Sequence, residues 1–334
     1  MKGYNVAVVG ATGAVGTKMI ETLEARKFPV AQLRALASER SKGKALRVRG
    51  DLLAVEELKA DSFKGIEIAL FSAGAKISRK FAPLAVKAGA IVVDNSSAFR
   101  MEKDVPLIVP EVNRYALKDH RGIIANPNCS TIQMVLVLGP LHQRAKIKRV
   151  VVTTYQSVSG TGLLAMVELR EQSLATLEDR EIKKKVYPYE IAFNLLPHIG
   201  EFLSNGYTQE EMKMINETRK ILGDEGINVT ATTVRVPIFI GHSEAVNIEL
   251  EEELTPKEAR EILGEAPGVI VMDDPDRNLY PYPRMAAGKD EVFVGRIRKD
   301  STVPHGLDLF IVADNLRKGA ALNAIQIAEE LIKE

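Results

Sequence analysis

The feature that most constrains the fold is a glycine loop at the start of the chain. Val6-Ala7-Val8-Val9 reads as a buried strand. Gly10-Ala11-Thr12-Gly13-Ala14-Val15-Gly16 follows and opens a helical pattern that runs to about Arg26. Strand, glycine loop and helix in that order predict a dinucleotide-binding turn. Glycines permit a tight turn and let backbone N–H groups and the helix start approach a pyrophosphate. On this reading Gly10, Thr12, Gly13, Ala14, Val15 and Gly16 line a cofactor site. The alternative is a glycine-rich turn that holds nothing.

The strand–helix alternation continues. Leu33 to Ala37, Ile66 to Phe71, Ile91 to Asp94 and Gly122 to Ala125 read as short strands, with a helix around Ser78 to Ala88. That rhythm implies a parallel sheet covered on both faces. The character changes after Pro140. Ile147 to Gln156 is long and β-branched, and Leu163 to Lys185 is a charged helical stretch. Val229 to Phe239, Glu244 to Glu251, Glu291 to Arg298 and Leu307 to Ala313 read as antiparallel strands with exposed polar faces. Asn315 to Glu334 is an amphipathic helix, expected to return to the first domain.

Bulk properties exclude several classes. The chain's 334 residues carry 45 basic and 44 acidic side chains, so no global field points to nucleic acid or acidic lipid. No apolar stretch approaches the roughly 18 residues of a membrane span. The N-terminus runs straight into a strand pattern, which predicts no signal peptide. With one cysteine, this points to a reducing, cytoplasmic setting.

That cysteine, Cys129, sits in Ala125-Asn126-Pro127-Asn128-Cys129-Ser130-Thr131, where an apolar run ends and a helical pattern begins. One thiol cannot make an intramolecular disulfide or, alone, a thiolate metal site, so no metal is expected. It can be a nucleophile, because helix-start N–H groups and the peptide dipoles stabilise a thiolate. The competing reading is a small buried core residue, which the polar neighbours on both sides argue against. After the second strand comes Ser38-Glu39-Arg40-Ser41. NAD sites usually place an acid there for the ribose hydroxyl. Arg40 with Ser38 and Ser41 suits a 2′-phosphate instead. NADP is the expected cofactor, and Glu39 leaves NAD open.

The combined motifs resemble the aspartate-semialdehyde dehydrogenase family, in order, over nearly the whole chain. They are Gly10 to Gly16, Asn126-Pro127-Asn128-Cys129-Ser130-Thr131, Tyr155-Gln156-Ser157-Val158-Ser159-Gly160, Arg235-Val236-Pro237 and Gly241-His242-Ser243-Glu244. The resemblance implies NADP-dependent, reversible reductive dephosphorylation of aspartyl phosphate to the semialdehyde through a cysteine thioester. That is a step of lysine (through diaminopimelate), threonine and methionine biosynthesis. It implies Cys129 as nucleophile, His242 as acid/base poised near neutral pH, Asn128 at the oxyanion and Gln156 orienting the substrate or thioester. Arg235 would grip the α-carboxylate, Glu210 the ammonium, and Arg100 and Lys213 the phosphate. Ser72, Gly74, Ser159, Gly160 and Asn315 would complete the cofactor site, the last three beside the nicotinamide.

The expected fold class is α/β. An N-terminal Rossmann-type parallel-sheet domain spans residues 1–128, completed by the C-terminal helix 314–334. An α+β catalytic and dimerisation domain with a largely antiparallel sheet spans residues 129–313. The stretch from Leu163 predicts a subunit interface, giving a homodimer or dimer of dimers. Arg235 and His242 are seven positions apart, so one regular strand would send them to opposite faces unless Pro237 and Gly241 break it. Two other functions remain open on sequence. One is a sister reductase of acyl phosphates or acyl thioesters, such as N-acetylglutamyl phosphate. The other is a non-catalytic dinucleotide sensor.

Overall fold

The N-terminal apolar run forms an inner strand of a parallel sheet in this computed structural model, which describes residues 3–333. The chain divides into two compact units. The first runs to Asn128 and resumes at Ala320, and the second is Cys129–Gly319.

The first unit contains β1 (Tyr4–Val9), α1 (Ala14–Ala25), β2 (Val30–Ala37), β3 (Ala45–Val48), β4 (Asp51–Glu57), β5 (Ile68–Phe71), α2 (Ala75–Lys87), β6 (Ile91–Asp94), α3 (Pro110–Asn113) and β7 (Ile123–Ala125). The sheet order is β3-β4-β2-β1-β5-β6-β7. All pairs are parallel except β3 with β4. Alternation along β1 serves both faces. Val6 and Val8 pack with Met19 and Leu23 of α1, whereas Ala7 and Val9 pack with Phe71, Phe81 and Ala82. The sequence reading missed β3 and β4. They form an edge hairpin over Arg49-Gly50, both at positive φ, as a tight two-residue turn requires.

In the second unit, α4 (Cys129–Ala145), β8 (Ile147–Gln156), α5 (Leu163–Leu177), α6 (Gln209–Leu222), β9 (Asn228–Arg235), β10 (His242–Leu250), α7 (Pro256–Glu265), β11 (Val269–Val271), α8 (Pro283–Ala286), β12 (Val292–Asp300) and β13 (Gly306–Ala313) follow in order. The sheet order is β11-β12-β13-β10-β8-β9. Its three inner pairings are antiparallel, as expected.

Four expectations are corrected. β9 lies parallel to β8, because it arrives by a crossover through α5 and α6 rather than a hairpin. It ends at Arg235, just before Pro237, which has no N–H for a ladder. The helix from Leu163 stops at Leu177, not Lys185. The chain beyond folds back, and Glu168 and Gln172 of α5 accept its backbone N–H groups at Lys185 (2.9 Å) and Ile191 (2.8 Å). Finally, residues 314–319 belong with the second unit. Asp314 accepts the N–H of Gly288 (2.7 Å), and Asn315 that of Gly241 (2.9 Å). The chain rejoins the first unit from Ala320, and there Ile325 and Ala328 of α9 (Leu322–Leu331) share the core of Met19 and Leu23. No described helix is long and apolar enough to cross a membrane.

Candidate active site

In the first unit, the loop after β1 is built for close approach by backbone. Gly10 sits at φ 85°, and a Cβ there would lie 2.9 Å from the Ser72 carbonyl carbon. A Cβ on Gly16 would lie 2.1 Å from the Gly10 oxygen. Both positions are closed to any side chain. Gly13 precedes α1 without a side-chain cap, so first-turn N–H groups, including those of Ala14 and Val15, lack side-chain capping and suit a phosphate. Thr12 Oγ1 donates to Ser41 Oγ (3.3 Å), tying this loop to the Ser38–Ser41 turn. Arg40 and Glu39 are exposed there. Ser72 Oγ donates to the Val9 carbonyl (3.1 Å), and Gly74 precedes α2 at φ 84°. This backbone cradle fits a dinucleotide pyrophosphate.

Arg100 is buried in the same unit. Its Nε donates to the Asn126 carbonyl and its Nη2 to the Asn95 carbonyl, both at 2.9 Å. Its guanidinium therefore braces the chain just before Cys129. Asn126 is held further by Asn323 of α9, whose Nδ2 donates to Asn126 Oδ1 (2.7 Å). Asn128 is buried and ends the unit.

The second unit assembles its candidates through sheet register. Gln156 ends β8 and pairs with Arg235 at the end of β9. β10 runs the other way and pairs Ser243 with Tyr155, so one further step brings His242 level with Gln156. Arg235, Gln156 and His242 thus stand side by side at one sheet end, all on the buried face. The parity problem disappears because Arg235 and His242 occupy different strands on either side of β8. A Cβ on Gly160 would lie 3.0 Å from Arg235 Nη1 and 3.2 Å from His242 Nε2, so both side chains converge there.

The cluster is wired internally. His242 Nδ1 accepts the Ser157 N–H (3.1 Å), and the Ser157 hydroxyl lies 3.0 Å from the same nitrogen. His242 Nε2 has no hydrogen-bond partner. Arg235 Nη1 donates to the Ser157 carbonyl (2.7 Å), while its buried Nε is unpaired. Asn315 Oδ1 accepts from the Ser157 (3.0 Å) and Ser159 (3.1 Å) hydroxyls. Its amide is engaged with the loop around His242 rather than presented outward. Gln156 Nε2 donates to Glu210 Oε1 at the first turn of α6 (3.3 Å), and Glu210 Oε2 holds Lys213 Nζ (2.9 Å). Cys129 is the first residue of α4. A Cβ on Gly319 would lie 3.0 Å from Cys129 Cβ, so a larger residue there would crowd the start of α4. The sequence reading gave no role to Ser157 or Gly319. Ser157 lies inside a quoted motif, but Gly319, far along the chain, carries no local signal.

Burial, aided by the nearby Arg235 charge, lowers the His242 imidazole to about 3. Glu210 acts the other way. In this form the ring is neutral at physiological pH, not half-titrated as expected. No group of His, Cys, Asp and Glu among the described residues could hold a metal ion.

Family models match at residues 5–120, the NAD-binding domain of semialdehyde dehydrogenases, and 138–318, their dimerisation domain. An aspartate-semialdehyde dehydrogenase of Aquifex aeolicus is 58% identical, with 99% of each chain covered. This chain belongs to the aspartate-semialdehyde dehydrogenase family. Its fold matches the crystal structure of aspartate semialdehyde dehydrogenase II from Vibrio cholerae complexed with ASA, at a TM-score of 0.97 and 46% identity, covering 100% of this chain and 99% of that one. A Candida albicans aspartate semialdehyde dehydrogenase solved with NADP is similar at a TM-score of 0.78 and 26% identity, with 99% of both chains covered. Membership makes the chain an oxidoreductase with a nicotinamide-dinucleotide domain and a dimerisation domain.

Proposed function

We propose that the chain catalyses the reversible reduction of L-aspartyl 4-phosphate to L-aspartate 4-semialdehyde, with release of phosphate, using NADP and a Cys129 thioester. The observation that carries this is the level row of Arg235, Gln156 and His242, in the unit whose first residue is the only cysteine. The Cys129 sulfur attacks the acyl carbon. A C–S bond forms, the C–O bond to phosphate breaks, and phosphate leaves with that electron pair. Dividing the displacement in two lowers each barrier, and a thiolate both attacks and departs well. When bound, the reduced dinucleotide supplies the hydride that turns the thioester into the aldehyde. The Cys129 thiolate is the leaving group of that step.

The Ser157 N–H donates to His242 Nδ1, so the neutral ring carries its proton on Nε2, the edge beside Gly160. Arg235 offers its fork to the substrate α-carboxylate. That carboxylate would neutralise one of the two causes that depress His242, bringing the imidazole back toward the pH at which it exchanges protons. Glu210 takes the ammonium, Lys213 and Arg100 take phosphate, and Asn128 stabilises the oxyanion. Gln156, uncharged and centred in the row, orients the acyl group. Gly10, Thr12, Gly13, Ala14, Val15 and Gly16 would hold the dinucleotide pyrophosphate, with Ser38, Arg40 and Ser41 at its 2′-phosphate. Ser72, Gly74, Ser159, Gly160 and Asn315 border the rest. Two copies would associate through α5, where Leu163, Leu164, Val167, Leu174 and Leu177 are exposed.

The test is phosphate-dependent NADP reduction by the purified chain with aspartate semialdehyde. Turnover that requires phosphate, and is absent with N-acetylglutamate semialdehyde, supports the reading. The reverse preference would overturn it.

A further inference from the structure

Behind the row of site residues lies a second polar level that the proposed reaction does not use. Glu244 follows His242 by two positions on β10, so the two side chains share a sheet face. Gln133 follows Cys129 by four on α4, so those two share a helix side. α4 packs against β10. Glu244 and Gln133 are both fully buried, and neither carboxyl oxygen nor either amide atom has a geometrically sound hydrogen-bond partner. Across the sheet, Glu244 is level with Thr154 and Ile311, which carry no charge. On its own strand the nearest titratable group is His242, which is neutral.

A carboxylate there would be an uncompensated buried charge, and such groups neutralise instead. Burial pushes Glu244 well above the ordinary carboxylate range, and the nearby Gln133 amide is the one influence against it. A carboxylic acid and a primary amide each offer a donor and an acceptor, so the pair can satisfy itself only with the acid proton in place. We propose that Glu244 is a positioning residue carried as an uncharged acid, which with Gln133 forms a neutral spacer setting Cys129 of α4 against His242 of β10. A negative charge one level behind the thiol would oppose thiolate formation, and the neutral acid supplies polar registry without it. The inference rests on the assignment of Cys129 and His242 as the reacting pair.

The test uses the full chain and the variants Glu244→Gln, Glu244→Leu and Cys129→Ala. Glu244→Gln should keep turnover within about twofold and leave the pH profile of Cys129 alkylation unmoved. It should abolish an infrared band of a protonated carboxyl present in the parent at neutral pH. Glu244→Leu should lower kcat by about ten- to a hundredfold with KM little changed, as a misplaced reacting pair does. If Glu244→Leu does not fold, the Glu244→Gln and infrared results decide alone. An alkylation profile shifted toward acid in Glu244→Gln, a large loss of turnover there, an infrared band unaffected by the substitution, or unchanged kcat in a folded Glu244→Leu would each overturn it. Undiminished turnover in Cys129→Ala would instead overturn the assignment of the reacting pair.

Discussion

At the scale of single residues, the two buried histidines set an acid limit on stability. His242 is lowered to about 3 by burial and then by Arg235. His142 is lowered by burial and then by Lys146, and its Nδ1 accepts the Ile147 N–H (3.1 Å). A histidine depressed in the fold charges first in the unfolded chain. Its contribution to stability is therefore complete above pH 6.5 and lost as pH falls from there toward the folded value, at up to about 1.4 kcal/mol per pH unit for each group. Melting temperatures of His242→Asn should fall less steeply than the parent's between pH 6.5 and 4, and parallel curves would remove His242 from this account. The same variant should lose about 10² to 10⁴ in turnover, the usual span of a lost general acid/base. Arg40, exposed beside Ser41, gives a cleaner discrimination. Arg40→Ala should weaken NADPH by roughly ten- to a hundredfold, the value of one charge-assisted contact, and leave NADH nearly unchanged. Equal losses would show that Arg40 does not read the 2′-phosphate.

At the scale of elements, legibility followed locality. The glycine loop, β1 and the start of α4 were visible because strand, turn and helix signals sit within a few residues of one another. The β3–β4 hairpin escaped because β3 is a four-residue edge strand with alternate residues exposed, and β4, although it carries Leu52-Leu53-Ala54-Val55, is exposed over most of its first half. The end of α5 escaped because Glu168 and Gln172 satisfy a folded-back segment, a tertiary event that looks helical from composition. Arg235 and His242 were readable as motif residues, but their side-by-side placement depends on β8 lying between their strands. α5 also supplies a test of assembly. Leu164 is 76% exposed and Leu177 74%, and apolar side chains grouped this way mark an interaction surface. Leu164→Asp should convert a dimer into a monomer by sedimentation, with an unchanged circular dichroism spectrum. A monomeric parent, or a variant that stays dimeric, would place the interface elsewhere.

At the scale of the whole molecule, each unit has its own task. The first offers backbone to a dinucleotide and braces the Asn126–Asn128 stretch with Arg100 and Asn323. The second aligns Arg235, Gln156 and His242 on one sheet end and begins with the thiol. The proposed covalent catalysis at Cys129 would give this division its purpose, and it can be isolated by withholding phosphate. Aspartate semialdehyde and NADP, mixed with enzyme in phosphate-free buffer, should give a burst of NADPH stoichiometric with subunits and then stop. Mass spectrometry should find an aspartyl group on the peptide containing Cys129, removed when phosphate is added. Continuous turnover without phosphate, or a full burst with Cys129 unmodified, would contradict the thioester at the centre of this account.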